Sequence, residues 1–370
     1  MHPRAFLNRI GTATPPYEAH AAYGEWAARQ LADVREATLL RRMMARSAIE
    51  SRWSVLPPAR SGQDQTGEGG FYQGADLPAT SARMAIYAKA APELCLQAVE
   101  ALGGIGEITH VVVASCTGFV APGIDQILAR RLGLSTNVER TMIGFMGCYA
   151  AIAALRTAYD IVRSRGNARV LVVTVELCTL HLQATTELES ILAMMLFGDG
   201  AAAALVSAEP EGLALSDPFS VSLPDSDGLI NWTIGDTGFS MHLSGEVPGR
   251  IADALAAPSF RARIGDLDAI DGWAVHAGGR SVLDAVQQGL QMPPHALDHS
   301  REVLRKYGNM SSATLMFVLE RFLAGNCPVS QGVAMAFGPG LAAEGMRFSS
   351  VCAEGREVCG AISKGELLPA

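Results

Sequence analysis

Short uninterrupted runs of apolar residues recur along the chain, and stretches with the apolar spacing of a helix lie between them. The clearest runs fall within His110–Gly118, Val170–Val175, Ala201–Val206, Ile270–Val275 and Gly332–Phe337. Runs without polar alternation are typical of strands that are covered on both faces of a sheet. Strands of this kind that alternate with helices predict an α/β fold with helices on both sides of the sheet. The last of these runs is the last strand that we expect.

Helices are predicted where apolar residues recur every three or four positions. Six segments have this spacing: 20–50, 81–102, 124–132, the residues from 152 up to a stop signal at Gly166, 282–290 and 315–322. A further strand is predicted at 4–12. Residues 59–80 are rich in Gly, Ser, Asp, Gln and Pro, which predicts a long surface loop.

The densest break signals lie at 208–228, where proline, glycine and acidic residues cluster. A chain of 370 residues is longer than one average domain, so we expect two units, 1–208 and 209–370. No repeat is visible by residue identity. A weaker similarity exists, since a strand, a small-residue turn and a helix follow one another at 115–118 and again at 276–279.

Composition excludes several kinds of partner. The net charge is −8 and no basic block is present, which argues against nucleic acid and anionic membranes. The seven cysteines are odd in number and form no CxxC zinc pattern. The start of the chain lacks the pattern of a signal peptide, and no apolar run is long enough for a membrane span. We therefore expect a soluble protein of the reducing cytoplasm.

One cysteine lies in a distinctive setting. Cys148 is surrounded by Gly144, Gly147 and a series of alanines, and a helical pattern begins at Ile152. Cys148 is therefore predicted at or just before a helix N-terminus, where unpaired N–H groups favour a thiolate nucleophile. The alternative is a buried cysteine that packs as a small apolar residue.

A cysteine nucleophile needs a base and a group that stabilises negative charge. His276 follows a predicted strand and precedes two glycines, and Asn309 lies in a turn before a predicted helix. Each has an ordinary alternative, a core histidine or a helix-capping asparagine. His295 and His299 have a spacing that could hold a metal but lack an evident third ligand, so we predict no metal site.

Together these segments resemble the motifs of type III polyketide synthases, the chalcone and stilbene synthase family and its bacterial relatives. The motifs are Gly147-Cys-Tyr-Ala150, Trp273-Ala-Val-His-Ala-Gly-Gly279, Tyr307-Gly-Asn-Met-Ser-Ser-Ala313 and Phe337-Gly-Pro-Gly-Leu341. The resemblance implies the thiolase fold, two related α/β halves in a five-layer α-β-α-β-α arrangement, as a homodimer. Its substrates would be an acyl-CoA starter and malonyl-CoA, with no separate cofactor.

The resemblance also implies residue roles. Cys148 would accept the acyl group, and His276 and Asn309 would stabilise the thiolate and the enolate formed when malonyl-CoA loses carbon dioxide. Phe197 matches an aromatic gatekeeper between the coenzyme A tunnel and the cavity, and Met241 stands where a second phenylalanine is usual. The other matches are cavity positions and two coenzyme A phosphate contacts: Cys116, Thr117, Cys178, Gly338 and Pro339 for the cavity, and Arg42 and Arg46 for coenzyme A. A third basic position of that contact is Leu39 here.

Met241 and the small or soft Cys116 and Cys178 predict a roomy cavity that takes aliphatic, even long fatty acyl, starters. Two other functions share the same residues. One is a single-step condensing enzyme of the ketoacyl-synthase kind, and the other is a non-catalytic thiolase-fold subunit that binds acyl groups.

Overall fold

The computed structural model describes residues 3–58, 66, 69–73, 77–325 and 327–351. Its strands are β1 (Ala5–Ala13), β2 (Tyr17–Glu18), β3 (Trp53–Ser54), β4 (His110–Ser115), β5 (Glu139–Gly144), β6 (Arg169–Leu177), β7 (Asp199–Ser207), β8 (Leu213–Ser222), β9 (Ile230–Gly235), β10 (Gly238–Leu243), β11 (Gly272–Val275), β12 (Gly332–Gly338) and β13 (Ala342–Ser350). Its α-helices are α1 (His20–Gln30), α2 (Val34–Arg46), α3 (Thr80–Leu102), α4 (Ile124–Arg131), α5 (Ala150–Ser164), α6 (Leu188–Met194), α7 (Val247–Ala256), α8 (Pro258–Ile264), α9 (Arg280–Gly289), α10 (Asp298–Tyr307) and α11 (Ser312–Ala324).

Nine of the strands form one sheet in the order β11-β12-β13-β8-β1-β7-β6-β4-β5. Without the edge strand β5, the order β4-β6-β7-β1 matches β11-β12-β13-β8 strand for strand. The directions match as well: the first pair is parallel and the next two are antiparallel in each half. The two halves meet where β1 pairs with β8 from Ala5 to Leu7. Strands β4 and β11 occupy equivalent positions in the two halves of the sheet. The similarity between 115–118 and 276–279 therefore reflects a repeat of strand topology.

The two faces of the sheet pack against different helices. Within β4, Val111 and Val113 join the core that contains α3, whereas Val112 and Ala114 join the core that contains α5 and α11. In β12, Ala334 and Ala336 belong to that same central core, and the intervening side chains face α7 and α9. Helices α5 and α11 thus lie between the two halves of the sheet. The α-β-α-β-α arrangement of the thiolase fold is confirmed.

Several predicted elements differ from the structure. The helix predicted at 20–50 is two helices, because the Asp33 side chain accepts a hydrogen bond from the Arg35 N–H (2.7 Å) and starts α2 anew. The break region at 208–228 contains the ten-residue strand β8. Its Pro218 is tolerated because the register with β13 shifts there, next to Asp217 at φ +46°.

The strand predicted to be last is followed by β13, and β5, β9 and β10 were not predicted. The strands predicted at 4–12, 170–175 and 201–206 and the helices at 81–102 and 124–132 are confirmed. Most of the loop predicted at 59–80 lies outside the described residues. Across the described parts of the chain, no helix has the length and apolar character needed to cross a membrane.

Candidate active site

Cys148 lies on a single 3₁₀ turn, Gly147–Tyr149, that leads directly into α5. Gly147 has φ +80°, and a Cβ there would lie 2.4 Å from Cδ of Pro339. Only glycine satisfies both conditions, since other residues avoid this φ and carry a Cβ. The predicted position at a helix N-terminus is confirmed.

The predicted thiolate is not favoured at this position. Cys148 is buried, and burial raises the pKa of its thiol to about 11, while nearby Ser311 and Asn309 act in the opposite direction. The helix N-terminus favours a thiolate, but the loss of water around the sulfur disfavours it. Burial outweighs the helix, so a proton acceptor is needed to form the nucleophile.

His276 follows β11, and its backbone N–H donates to the carbonyl of Met335 (2.8 Å), as if it continued the strand. The side chain is 1% exposed, and neither ring nitrogen has a hydrogen-bond partner among the described residues. Burial lowers the pKa of His276 to about 3, so the ring is neutral. A neutral imidazole has one N–H donor and one acceptor nitrogen, and both are available to a ligand.

Asn309 lies between α10 and α11, and its amide is held at both ends. The side-chain Nδ2 donates to the carbonyl of Gly278 (3.0 Å), and the Oδ1 accepts from the N–H of Ser311 (2.8 Å). The backbone of Asn309 bridges that of Phe197 through hydrogen bonds to Leu196 and Gly198. The second hydrogen of Nδ2 is not needed for this fixation and can point to a substrate oxygen.

Cys148, His276 and Asn309 line one cavity of about 50 Å³, here called the cysteine chamber. It is bordered by every predicted cavity position and by additional, mainly apolar residues. The predicted positions are Cys116, Thr117, Cys178, Phe197, Met241, Gly338 and Pro339; the additional ones are Gly147, Ile230, Trp232, Leu243, Val247, Ile251, Gly278, Val282, Ser311 and Phe337. The prediction of a roomy cavity is wrong for the chamber itself, because these side chains fill most of it.

Two further spaces adjoin the chamber. The entrance groove, of about 630 Å³, is lined by Met43, Met44, Arg46 and Ser47 of α2 and its C-terminus, and it shares Leu243, Val247, Gly278 and Val282 with the chamber. The side pocket, of about 190 Å³, shares Cys178, Phe197, Trp232 and Met241 with the chamber. Arg46 therefore borders the route to Cys148. Arg42 is exposed on α2 and does not border the groove.

Phe197 and Met241 separate the chamber from the side pocket, and neither borders the entrance groove. His181 lines the side pocket with its polar atoms already engaged. Its Nε2 donates to the carbonyl of Thr117 (2.7 Å), and its ring stacks on Phe239 with 4.2 Å between the centroids. His181 therefore shapes the wall of the pocket.

Glu176 at the end of β6 was missed by the sequence analysis. Its carboxylate is fully buried and accepts hydrogen bonds from the Cys116 thiol (3.1 Å), the Thr117 hydroxyl (2.8 Å) and the Ser312 hydroxyl. Burial raises the pKa of Glu176, while these bonds oppose the change. The available signal was a single charged residue at the end of an apolar strand.

Ser311 connects this carboxylate to the nucleophile. Its hydroxyl lies 3.2 Å from the Cys116 sulfur and is also close enough to Cys148 to lower the pKa of that thiol. The backbone of Ser311 has φ +46°, an unusual conformation for a residue with a side chain. Such strain persists where surrounding contacts enforce it, and here it places a hydroxyl in the chamber.

Metal ligation finds no support in the described residues, since no cluster of three or more His, Cys, Asp or Glu side chains there could hold an ion. The predicted pair His295 and His299 is not part of such a cluster. His299 instead packs its ring edge-on against Phe322, with 4.8 Å between the ring centroids.

Two solved structures that share this architecture are synthases. The crystal structure of PKS-I from the brown alga Ectocarpus siliculosus has a TM-score of 0.84 and 28% identity, covering 95% of this chain and 99% of that one. The C-terminal type III polyketide synthase domain of Steely1 from Dictyostelium gives a TM-score of 0.82 at 25% identity, covering 94% of this chain and 100% of the domain. By fold and site, the chain is thus of the same class as these synthases.

Sequence comparison identifies the family. The family model described as "Chalcone and stilbene synthases, N-terminal domain" matches residues 5–210, and the corresponding C-terminal model matches 219–352. The chain belongs to this family, the type III polyketide synthases.

Two relatives are similar to much of the chain. The "Alpha-pyrone synthesis polyketide synthase-like Pks18" of Mycobacterium tuberculosis is 35% identical over 259 residues, which is 66% of this chain and 66% of the relative. The bisdemethoxycurcumin synthase of Oryza sativa subsp. japonica is 36% identical over 299 residues, 73% of this chain and 74% of that enzyme. The match to the mycobacterial relative thus spans just under two thirds of its length.

Proposed function

We propose that this enzyme loads an acyl-CoA starter on Cys148, extends it by decarboxylative condensation with malonyl-CoA and cyclises the polyketide to an alkylresorcinol-like, alkylpyrone-like or other aromatic product. The observation that carries the proposal is the unpartnered imidazole of His276, buried in the same chamber as Cys148 and Asn309. A buried polar group without partners costs free energy. Its persistence here is explained if the substrate supplies the partner.

Loading begins with proton transfer. The neutral imidazole of His276 accepts the Cys148 proton, and the sulfur attacks the starter thioester, forming the acyl-enzyme and releasing coenzyme A as the thiol. The imidazolium gives its proton to the leaving sulfur. Burial opposes this transfer, because it raises the thiol pKa and lowers the imidazole pKa.

During extension, His276 and Asn309 act as hydrogen-bond donors. Malonyl-CoA loses carbon dioxide, and the electron pair of the broken carbon–carbon bond becomes the enolate of acetyl-CoA. The His276 N–H and the free hydrogen of the Asn309 amide stabilise the enolate oxygen, and each donor of this kind is worth about 2.7–4 kcal/mol. The enolate carbon attacks the acyl-enzyme carbonyl, and Cys148 leaves as the thiolate.

The starter is proposed to be aliphatic. Ile230, Leu243, Val247 and Ile251 give the chamber a mainly apolar wall, and the name of the mycobacterial relative refers to α-pyrone synthesis. On the side away from the entrance groove, the narrow chamber gains length past Cys178, into the side pocket. An extended acyl chain is thin enough to use such a passage, whereas a bulky starter requires the wall to move.

The remaining predicted roles are part of the same proposal. Phe197 and Met241 would control passage around the chamber as gatekeepers. Cys116, Thr117, Cys178, Gly338 and Pro339 would contact the growing chain, since all of them border the chamber. Arg46, beside the entrance groove, and Arg42, on the same helix, would bind the phosphates of coenzyme A.

The proposal is tested with decanoyl-CoA and malonyl-CoA, followed by mass spectrometry of the products. We expect masses that equal decanoic acid plus a C2H2O unit for each extension, less the water lost on ring closure and, for an alkylresorcinol, less carbon dioxide as well. Cys148→Ala should abolish them and keep the circular dichroism spectrum. Cys327→Ala is the matched control, because Cys327 is exposed and away from the chamber; unchanged product formation by Cys148→Ala would refute the assignment.

The same incubation separates the rival functions. A single-step condensing enzyme would stop at one extension and require malonyl on a carrier protein. A non-catalytic subunit would give no product from any donor. Repeated extension from malonyl-CoA excludes both.

We further propose that the protein is a homodimer of the reducing cytoplasm. We also propose that each chain divides into two halves, 1–208 and 209–370. The edge strand β5 has mostly exposed side chains, and Met142 on it and Phe119 beside it are 40% and 48% exposed. An uncovered edge strand invites pairing with a second copy. Light scattering should give twice the chain mass for the wild type and a single chain mass for Phe119→Lys/Met142→Lys; a wild-type monomer contradicts the dimer.

A further inference from the structure

We propose that the exposed face of α2 is a docking surface for a small acidic acyl carrier protein that delivers the starter on its phosphopantetheine arm. This inference rests on the proposed function, because it concerns the source of the acyl group that Cys148 receives. It goes beyond that function in assigning a protein partner and a binding surface.

The docking surface is a stripe along one side of α2. Arg35, Leu39, Arg42 and Arg46 follow the spacing i, i+4, i+7 and i+11, which places them on one helix face. All four are exposed, and Met43 lies beside them. We call these five residues the arginine stripe. The opposite face of the same helix buries Ala37 and Leu40, so the helix cannot rotate to hide the stripe.

The charge of the stripe is available for a partner. The side chains of Arg35, Arg42 and Arg46 form no ion pair within the described parts of the chain, unlike Arg41, which pairs with Glu25 at 3.1 Å. The whole chain carries a net charge of −8, so this unpaired basic face is locally distinct. An acidic partner is attracted to it and steered towards it.

Apolar exposure points to a protein. Leu39 is 45% exposed and Met43 is 42% exposed, and they lie among the arginines. Coenzyme A phosphates would use the arginines but would leave Leu39 in water. Apolar side chains surrounded by charged ones are typical of the centre and rim of a protein interface.

The length of the stripe supports the same reading. From Arg35 to Arg46 the helix rises about 17 Å, at about 1.5 Å per residue. Only its C-terminal end, with Met43 and Arg46, borders the entrance groove. A nucleotide at the groove engages that end, whereas Arg35 and Leu39 lie further away and need a larger ligand.

The groove supplies the route for the arm. It begins at Met43 and Arg46 and reaches the chamber through the shared wall residues Leu243 and Val247. Arg280 closes the mouth on one side by donating from Nη1 to the carbonyl of Arg46 (3.1 Å). A carrier seated on the stripe therefore has its arm directed at Cys148. An anionic membrane would also attract the stripe, but it has no arm to send down the groove.

The experiment compares three decanoyl donors by single-turnover loading of Cys148, measured by mass spectrometry of the intact protein. The donors are decanoyl-pantetheine, decanoyl-CoA and the decanoyl thioester of an acidic acyl carrier protein from a type II fatty-acid synthase. We expect the carrier to load Cys148 at least tenfold faster than pantetheine at equal concentration. Arg35→Glu/Leu39→Asp should remove that advantage, while loading from pantetheine changes less than twofold.

Arg263→Glu on α8 is the control, because it reverses the charge of an exposed arginine elsewhere, as Arg35→Glu does in the stripe. It should keep the carrier advantage. Equal loading from carrier and pantetheine, or a variant that still prefers the carrier, overturns the docking surface and leaves the proposed function intact. Failure of all three donors overturns the proposed function instead. Cosedimentation of the wild type with phosphatidylglycerol vesicles, lost in Arg35→Glu/Leu39→Asp, together with equal loading, assigns the stripe to membranes.

Discussion

Replacing Arg52 with methionine tests whether a buried charge positions the chamber. Arg52 is fully buried. Its Nη1 donates to the carbonyl of Phe197 (2.8 Å), and its Nε donates to Nδ1 of His20 (2.9 Å). Its stem also packs against Gly308, where a Cβ would lie 2.8 Å from Cγ of Arg52. One side chain thus supports the backbone on both sides of the Phe197–Asn309 bridge.

The effect of Arg52→Met on the free energy of unfolding is the difference between two terms of similar size: the hydrogen bonds that are lost and the cost of burying the charge. Two hydrogen bonds from a charged donor contribute about 1.5–3 kcal/mol each, or about 3–6 kcal/mol together. Against this, burial lowers the pKa of Arg52 to about 10, which corresponds to about 3 kcal/mol for keeping the charge inside. The net loss on Arg52→Met should therefore be only about 0–3 kcal/mol.

The effect on catalysis should be larger. Without Arg52 the Phe197 carbonyl loses its partner, and the bridged Asn309 shifts with it. A misplacement of about 1 Å in a catalytic group can lower the rate by about 100-fold. We expect kcat to fall at least tenfold while KM for the starter changes little, because the entrance groove is untouched.

The assay combines urea unfolding with steady-state product formation at several starter concentrations. Arg52→Lys keeps the charge but not the planar fork, so its kcat should be intermediate. Arg263→Met, at an exposed site, should match the wild type in both measurements. A kcat within threefold of the wild type for Arg52→Met, with the fold intact, would refute the positioning role.

Two other predictions concern the nucleophile. Iodoacetamide labelling of Cys148, followed by peptide mass spectrometry against pH, should show a higher midpoint in His276→Gln than in the wild type. The proton acceptor is then gone, and nothing in its place opposes the effect of burial, which raises the pKa of the Cys148 thiol; coincident profiles would contradict the proton transfer. Gly147→Ala should lose about 1–3 kcal/mol more in urea unfolding than Gly340→Ala, since both have positive φ but only the first Cβ meets Pro339. Equal losses in the free energy of unfolding would show that the contact between a Cβ at position 147 and Pro339 costs no free energy.

The sequence predicted those site features that depend on local chain geometry. The glycines around Cys148 indicate a turn, and the helical spacing after it places the sulfur at a helix N-terminus, as the structure shows. The strand before His276 and the turn at Asn309 were likewise visible. Their meeting in one chamber depends on the packing of α5 and α11 between the sheet halves, which only the resemblance to a known family implied.

Features that depend on packing between distant parts of the chain could not be predicted from the sequence. Residue sizes at Cys116, Cys178 and Met241 suggested space, but neighbours far along the chain occupy it. The thiolate was expected from the helix alone, whereas burial controls the thiol pKa. Glu176 looks in sequence like the end of a strand, and only the fold shows which hydroxyl and thiol groups surround it.

The strand β8 was missed because Pro218 and Asp217 read as a break. A bulge accommodates both, and bulges leave little local signal in a sequence. In contrast, the division of α1 from α2 at Asp33 could have been found, since aspartate is a frequent helix N-cap.

Helices α5 and α11 bury their apolar sides against strands from both ends of the polypeptide. During synthesis, α5 emerges long before the later strands that cover its apolar side. A nascent chain that stops near the middle of the sequence would therefore expose apolar helix surface. It would depend on chaperones or on rapid translation to avoid aggregation. Cys148 becomes buried only at the end of this process. A truncated product therefore lacks the complete chamber and does not catalyse the reaction.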